Sequence, residues 1–303
     1  MDTRVQEALS FLPLKIRHAV MRECEKPGVS LEEVRLRAGS PVNIFSGGRE
    51  WSVADAGKRI VADAAMLQQL VADATEHSLY AAQEQLKDGY FTLSGGHRLG
   101  ICGSTVVING KRTGLKEYSS VNLRIAREIP GAADDISRLI WQNPNSTLLA
   151  GPPGCGKTTV LRDLIRQLSE RYRFRVGVID ERCELAACRN GTPQFRLGSC
   201  TDVLSCCGKE DGIYMLLRAM RPDWIALDEI STKEDVEAIC RASYCGVRFL
   251  ATAHIWKRED LEQRPVYRAL LESGVFQNLG IIDSNRQLRC ERLKPCPITS
   301  LSD

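Results

Sequence analysis

Gly-Pro-Pro-Gly-Cys-Gly-Lys-Thr-Thr, residues 151–159, is the stretch of sequence that decides the fold. It fits the phosphate-loop pattern G-x-x-x-x-G-K-[ST], in which glycines let backbone N–H groups turn toward a phosphate. The lysine adds a positive charge, and the hydroxyl after it can hold Mg²⁺. The pattern therefore predicts a site for ATP and Mg²⁺, with Mg²⁺ on Thr158, formed by Gly151, Pro152, Pro153, Gly154, Cys155, Gly156, Lys157, Thr158 and Thr159.

The flanks of the loop predict a strand before it and a helix after it. Residues 146–150 are apolar enough for a short buried strand, and Val160, Leu161, Leu164, Ile165 and Leu168 recur at helical spacing. Further strands are expected at 174–179, 224–228 and 247–252, separated by helices. Alternation of this kind is typical of a parallel sheet with crossover helices. The predicted fold is an α/β P-loop NTPase domain over 145–303, with a RecA-like parallel sheet flanked by helices.

The residues before this domain have a different pattern and predict a smaller α+β domain over 1–130. Helices are expected at 5–22 and 65–86, and strands at 34–37, 42–45, 90–93 and 99–107, with a hairpin signal at Asn109-Gly110. Residues 131–144 are predicted to form a linker and a leading helix. Near the other end of the chain, 280–292 is expected to form a hairpin around Ser284-Asn285.

Composition narrows the classes of function. The 303 residues carry 41 basic and 38 acidic side chains, a net charge of +3 that gives no sign of nucleic-acid binding. No stretch approaches the roughly 18 apolar residues that span a bilayer, and the start lacks a secretory pattern. We expect a cytoplasmic protein that can dock on a membrane complex. Twelve cysteines without any C-x-x-C pair favour small core residues over a zinc site, and Cys155 within the loop is expected to be a reduced thiol.

Acidic pairs end two of the predicted strands. Asp228 and Glu229 follow an apolar strand, where Asp228 would bind nucleotide-associated Mg²⁺ and Glu229 would orient the attacking water. Asp180 and Glu181 end another strand. Because ligands of open parallel sheets gather beyond the carboxyl ends of strands, both pairs are predicted to converge there. A solvated strand end remains the alternative for Asp180 and Glu181.

Two other residue types complete the predicted site. Thr252 and His254 end a third strand, from which they can reach the γ-phosphate position. An ATPase also needs positive charge on the transferred phosphoryl group beyond that of Lys157. The arginine candidates are Arg98, Arg124, Arg127, Arg218 and Arg221, and surface solvation is the alternative for each.

Taken in order, these segments resemble the secretion-traffic ATPases, the hexameric motors of type II and type IV secretion and of pilus retraction. Those proteins share a phosphate loop, an acidic box, an Asp/Glu strand and a histidine box, with counterparts here at 151–159, 180–184, 228–229 and 254. Nearly the whole chain is similar to a narrower family, that of stage III sporulation protein AA. The segments that carry this likeness are VRLRAGSPV (34–42), GGHRLG (95–100), NLRIAREI (122–129), DERCEL (180–185) and LRAMRPD (217–223).

The resemblance implies a hexameric ATPase on the mother-cell side of a membrane channel between mother cell and forespore. Its partners would be the membrane-embedded proteins of that channel complex. The resemblance also implies that arginines of the N-terminal domain reach nucleotide at a domain or subunit boundary, with Arg124 as first choice and Arg98 as second. The chain departs from many secretion ATPases by having Asp228 where they have glycine and Asp180-Glu181 where they have Glu-Asp. The tetracysteine zinc motif of the type II enzymes is absent from the sequence.

Three functions are weighed on these observations. The first is an ATP-hydrolysing motor, and the second is a nucleotide-gated assembly scaffold with little turnover. The third is a nucleic-acid motor. A strongly basic domain or an aromatic binding strip would favour it, and the sequence contains neither. We therefore expect homo-oligomers and no nucleic-acid partner.

Overall fold

The computed structural model describes residues 2–75, 89–108 and 110–293. The chain divides into two compact units, Met1–Arg127 and Glu128–Asp303. Each unit has its own main sheet, with one apolar cluster in the first unit and two in the second. Within the described part of the chain, no helix is both long and apolar enough to cross a bilayer.

The first unit begins with two helices and continues mainly as strands. Its described helices are α1 (Thr3–Ser10), α2 (Leu14–Cys24) and α3 (Ala64–Ala74). Its strands are β1 (Leu31–Arg37), β2 (Asn43–Ser46), β3 (Arg49–Ser52), β4 (Ala54–Asp55), β5 (Lys58–Arg59), β6 (Tyr90–Thr92), β7 (Arg98–Ile108) and β8 (Lys111–Arg124).

An antiparallel sheet of six strands, in the order β3-β2-β1-β8-β7-β6, forms the frame of this unit. β7 and β8 form a long hairpin. On one side β1 pairs with β2, and on the other it pairs with the Ser120–Arg124 part of β8. Side chains from α1, α2, α3 and the sheet, such as Leu9, Ile16 and Leu123, fill one core. The hydrophobic pattern thus buries one side of each element, as amphipathic helices and half-buried strands require.

Two helix predictions need correction. The helix expected over 5–22 is two helices, because the chain turns after Ser10 and Pro13 lies at the start of α2. Proline lacks an N–H group and is accommodated at a helix start rather than inside a helix. The helix expected over 65–86 is present as α3, which ends at Ala74, and residues 76–88 lie outside the described part of the chain.

The second unit alternates strands and helices. Its helices are α4 (Asp134–Gln142), α5 (Lys157–Glu170), α6 (Lys209–Ala219), α7 (Lys233–Ser243), α8 (Asp260–Gln263) and α9 (Pro265–Glu272). Its strands are β9 (Thr147–Gly151), β10 (Val176–Asp180), β11 (Thr201–Ser205), β12 (Trp224–Leu227), β13 (Arg248–His254), β14 (Asn278–Ile282) and β15 (Leu288–Arg292).

These strands form one sheet in the order β11-β10-β12-β13-β9-β14-β15, parallel except for β15. β14 and β15 form the expected hairpin, and β14 pairs directly with β9. β11 is a strand that the sequence pattern did not predict. Helices pack on both faces, so β9, β10 and β12 are buried along their whole length. Burial on both faces explains their continuous apolar runs.

Candidate nucleotide site

The phosphate loop connects β9 to α5, and its backbone needs glycine at two positions. Gly154 and Gly156 have φ of +76° and +104°, a region that other residues adopt only with strain. Gly151 is restricted differently, since a Cβ there would collide with the Ile282 carbonyl of β14 and with the Cys155 sulfur. The loop therefore presents its amides at the start of α5, where the helix dipole favours a phosphate.

Lys157 is buried at the first position of α5. Its Nζ donates hydrogen bonds to the carbonyls of Gly151 at 2.9 Å and Pro152 at 2.8 Å. Burial lowers the pKa of this ammonium, while Cys155, Asp228 and Glu229 act in the opposite direction. The two carbonyl contacts thus hold the charged end of Lys157 at the loop.

The acidic pair after β12 faces the loop. Thr158 Oγ1 donates to Asp228 Oδ2 at 3.0 Å. A hydroxyl from α5 and a carboxylate from the end of β12 therefore lie side by side. Such oxygens are the ligands that Mg²⁺ prefers. Within residues 2–75, 89–108 and 110–293, no group of three or more His, Cys, Asp or Glu side chains is arranged to hold a metal ion. The Thr158 hydroxyl and the Asp228 carboxylate are thus oxygens that would suit a Mg²⁺ ion brought by a nucleotide.

The Thr252 hydroxyl on β13 bonds to both residues of the acidic pair. It donates to Asp228 Oδ1 at 2.5 Å and accepts the Glu229 N–H at 2.8 Å. Glu229 has φ of +43°, an uncommon conformation for a residue with a side chain. The buried hydroxyl thus compensates part of the backbone strain at Glu229.

The Glu229 carboxylate lies among basic groups at the strand ends. Arg182 Nη1 donates to Glu229 Oε2 at 2.8 Å, and His254 Nε2 lies 3.7 Å from the same oxygen. Burial and the charge of Lys157 lower the pKa of His254. The lowered pKa favours the neutral form of His254 at neutral pH, and Arg182 brings a full positive charge into direct contact with the Glu229 carboxylate.

The second acidic pair separates into two different environments. Asp180 is only 2% exposed, and its Oδ atoms accept the backbone N–H groups of Glu184, Leu185, Ala186 and Ala187. This hydrogen bonding makes Asp180 the organiser of the turn after β10. Glu181 is exposed at the turn and accepts a hydrogen bond from the buried Lys209 Nζ at 2.5 Å.

The two arginines chosen from the sequence belong to the first unit. Arg98 stacks its guanidinium 3.5 Å from the centre of the Tyr90 ring. Arg124 lies with Nε 3.4 Å from Glu33 Oε1, and its side chain is 59% exposed. Their action on a nucleotide stays a prediction.

Sequence reasoning missed three residues that support the site. Arg182 lies within the segment DERCEL (180–185), which does not indicate its contact with Glu229, and no sequence pattern indicates Lys209. Arg162 of α5 donates to the carbonyls of Leu185 and Glu184 and stacks on Phe195. Only Arg182 lies directly beside an acidic pair in the sequence. Lys209 and Arg162 support the site through contacts that only the folded structure shows.

A phosphate loop between β9 and α5, with acidic residues after the neighbouring strands β10 and β12, defines a P-loop NTPase fold. Solved structures have this fold over most of both chains. For the pilus retraction motor PilT with bound ADP, the TM-score is 0.63 at 18% identity, covering 93% of this chain and 82% of that one. For the ATPase DotB of Legionella pneumophila, the TM-score is 0.58 at 17% identity, and the match covers 92% of this chain and 78% of DotB. The predicted fold class is confirmed.

Sequence comparison narrows the class to one family. The family described as sporulation stage III, protein AA, matches residues 2–290, and the chain belongs to this family. The chain is 36% identical over 277 residues to stage III sporulation protein AA of Bacillus subtilis (strain 168), covering 90% of this chain and 89% of that protein. The resemblance found from the sequence segments is therefore confirmed.

Proposed function

We propose that this protein is a Mg²⁺-dependent ATPase that works as a hexamer and powers or assembles the mother cell–forespore channel complex during endospore formation. It would act in the cytoplasm of the mother cell, bound peripherally to the membrane-embedded proteins of that complex. The observation that carries the proposal is the contact of Thr158 with Asp228 beside Glu229. PilT, a motor with a similar fold, was solved with bound ADP.

Each group of the site has a proposed part in hydrolysis. The loop amides and Lys157 would hold the β- and γ-phosphates, and Thr158 and Asp228 would hold Mg²⁺. The ion would neutralise charge on the phosphate oxygens. Glu229 would orient the attacking water and accept its proton as the bond from the γ-phosphorus to the bridging oxygen breaks. Arg182, at 2.8 Å, would set the position of the Glu229 carboxylate.

The remaining residues have supporting parts in the proposal. Asp180 would hold the turn that carries Glu181 and Arg182, and His254 would contact the γ-phosphate as a neutral donor. Arg124 would add charge to the transferred phosphoryl group, with Arg98 as the second choice.

Glu229→Gln tests the assignment of the water-orienting group. The amide keeps the size of the side chain but cannot accept a proton, so we expect ATP turnover to fall about a hundredfold or more while ATP binding persists. Turnover is measured by phosphate release and binding by calorimetry. Glu237→Gln, the same change at an exposed position of α7, is the matched control and should behave as the unchanged protein.

Single-turnover hydrolysis at high protein concentration separates the motor from the scaffold. A motor releases phosphate under these conditions. If the unchanged protein binds ATP and oligomerises but releases none, the nucleotide-gated scaffold replaces the proposed ATPase. Unchanged turnover in Glu229→Gln would instead move the water-orienting role to another carboxylate.

A further inference from the structure

Two cysteines that the proposed mechanism does not use lie beside the acidic turn. Cys183 follows β10 by three residues and Cys206 directly follows β11. Their Sγ atoms are 3.3 Å apart. A disulfide requires about 2.05 Å, so a movement of roughly 1.3 Å would join them.

The backbone holds the two cysteines in this arrangement. The N–H groups of Cys183 and Cys206 both donate to one acceptor, the carbonyl oxygen of Asp180, at 3.3 Å and 3.1 Å. Both residues have positive φ, of 53° and 55°. β10 and β11 are paired in parallel up to Asp180 and Ser205, which brings the two turns together at the end of the sheet. The strand register and these backbone bonds therefore hold the two cysteines side by side at the end of the sheet.

We propose that Cys183 and Cys206 form a redox-active dithiol, a covalent modification site that an oxidised low-molecular-weight disulfide converts to an intramolecular disulfide. Closing this bond fixes the turn that carries Arg182, the neighbour of Cys183 in sequence. Since Arg182 contacts Glu229, the disulfide restricts movement of the carboxylate proposed to orient water. This consequence for turnover rests on the proposed ATPase function, whereas formation of the disulfide does not.

The chemistry follows thiol–disulfide exchange in two steps. The exposed Cys206, as thiolate, attacks one sulfur of glutathione disulfide and releases one glutathione thiolate. Cys183 then loses its proton to solvent and attacks Cys206 Sγ, which releases the second glutathione. Two protein thiols are oxidised and one glutathione disulfide is reduced to two thiols.

The environment of Cys183 orders these steps. Burial, with the Cys206 sulfur and Asp180 next in effect, raises the pKa of the Cys183 thiol to about 12. Cys183 is thus a poor first nucleophile, and the exposed Cys206 is the entry point for the oxidant. Once Cys206 carries glutathione, it no longer raises the pKa of the Cys183 thiol. Cys183 then loses its proton more readily, and the intramolecular disulfide forms more easily.

Peptide mapping of the full-length protein tests the dithiol directly. The reduced protein is treated with glutathione disulfide, free thiols are alkylated, and linked peptides are identified by mass spectrometry. We expect the Cys183–Cys206 link to exceed any other cysteine pair about tenfold, and dithiothreitol to remove it. Glutathione on Cys206 without a link, or a link from Cys206 to Cys188, would overturn the proposal.

Activity measurements test the consequence for Glu229. The linked protein should hydrolyse ATP about tenfold more slowly than the reduced protein, with recovery in dithiothreitol. Cys206→Ser should remove this sensitivity, while Cys245→Ser, a change of an exposed cysteine elsewhere in the same unit, should retain it. Full turnover of the linked protein would overturn the effect on Arg182. A reduced protein without any turnover would refute the proposed ATPase, and mapping would still decide the dithiol.

Discussion

At the scale of single residues, the hydroxyl of Thr252 holds both residues of the acidic pair after β12 in place. It is fully buried and bonded to the side chain of Asp228 and to the backbone of Glu229 at the same time. One side chain thereby couples the proposed Mg²⁺ ligand to the proposed water-orienting residue. The sequence predicts that Thr252 can reach the γ-phosphate position because it lies near a strand end, but sequence position does not say which groups its hydroxyl bonds.

Thr252→Val tests this coupling. Valine has nearly the same shape but leaves the hydrogen bonds unmade, so we expect the free energy of unfolding to fall by about 1–2 kcal/mol. ATP turnover should fall as well, because the Glu229 N–H loses the shorter of its two hydrogen bonds. Denaturant titration and phosphate release measure the two effects. Thr252→Ser keeps the hydroxyl and should retain most of both, and a Val variant equal to the unchanged protein would refute the role.

His97 in the first unit gives a prediction on pH. It is fully buried, its Nδ1 accepts the Ala126 N–H at 3.1 Å, and burial followed by the charge of Arg4 lowers its pKa to about 4. The unfolded chain, with a histidine pKa near 6.5, binds the proton more readily than the folded chain. The contribution of neutral His97 to stability is therefore present above about pH 6.5 and is lost as the pH falls toward 4, by about 3 kcal/mol in total.

A titration of the histidine ring signals by NMR checks this value. The His97 signal should stay that of a neutral ring through pH 5 and disappear from the spectrum of His97→Gln, which assigns it. Protonation of His97 near pH 6.5 would contradict the explanation by burial.

At the scale of elements, the sequence predicted those with strong periodicity and missed those defined by their neighbours. β9, β10, β12 and β13 were expected within a few residues of their observed bounds because they are buried apolar runs. β11 was missed, since all five of its residues are only half-buried and its pattern lacks alternation. The same limit applies to the site. Motifs identified the phosphate loop, whereas the contacts of Arg182 and Lys209 arise from which strands and helices lie side by side.

The attachment of α4 to α5 is a test at this scale. Asp163 of α5 is buried and accepts the N–H groups of Gly131 and Ala133 just before α4, at 3.0 and 2.9 Å. It also pairs with Arg166 at 2.6 Å. Asp163→Asn should lower the free energy of unfolding by about 2 kcal/mol, because the buried carboxylate loses its charge-assisted hydrogen bonds to these N–H groups and to the half-buried Arg166.

Denaturant titration measures this loss. Glu170→Gln, the same change at an exposed position of α5, should cost about 0.5 kcal/mol or less. Equal costs for the two variants would show that the contacts of Asp163 do not anchor α4.

At the scale of the whole molecule, complementation of two variants tests whether Arg124 acts on a nucleotide held by another copy. Arg124→Ala and Glu229→Gln should each have little turnover. In an equal mixture, random assembly into a ring pairs an intact Glu229 with an intact Arg124 at about a quarter of the sites. We therefore expect phosphate release to recover to about a quarter of that of the unchanged protein.

The mixture must be compared with suitable controls. Arg59→Ala, a change at an exposed arginine of the same unit, should need no partner for full turnover. If the mixture stays as inactive as its components, Arg124 does not complete a site of another copy.

The order of strands in the second sheet has a consequence for biosynthesis. β9, which ends in the phosphate loop, pairs with β13 and β14, and these begin about 100 and about 130 residues after it ends. While the ribosome is making the chain, β9 therefore leaves the exit tunnel long before either of its partners exists. The sheet of the first unit is complete at Arg124, so that unit can fold during synthesis. The phosphate loop can acquire its shape only after β14 has left the tunnel, and a nascent chain halted before β14 should not retain nucleotide.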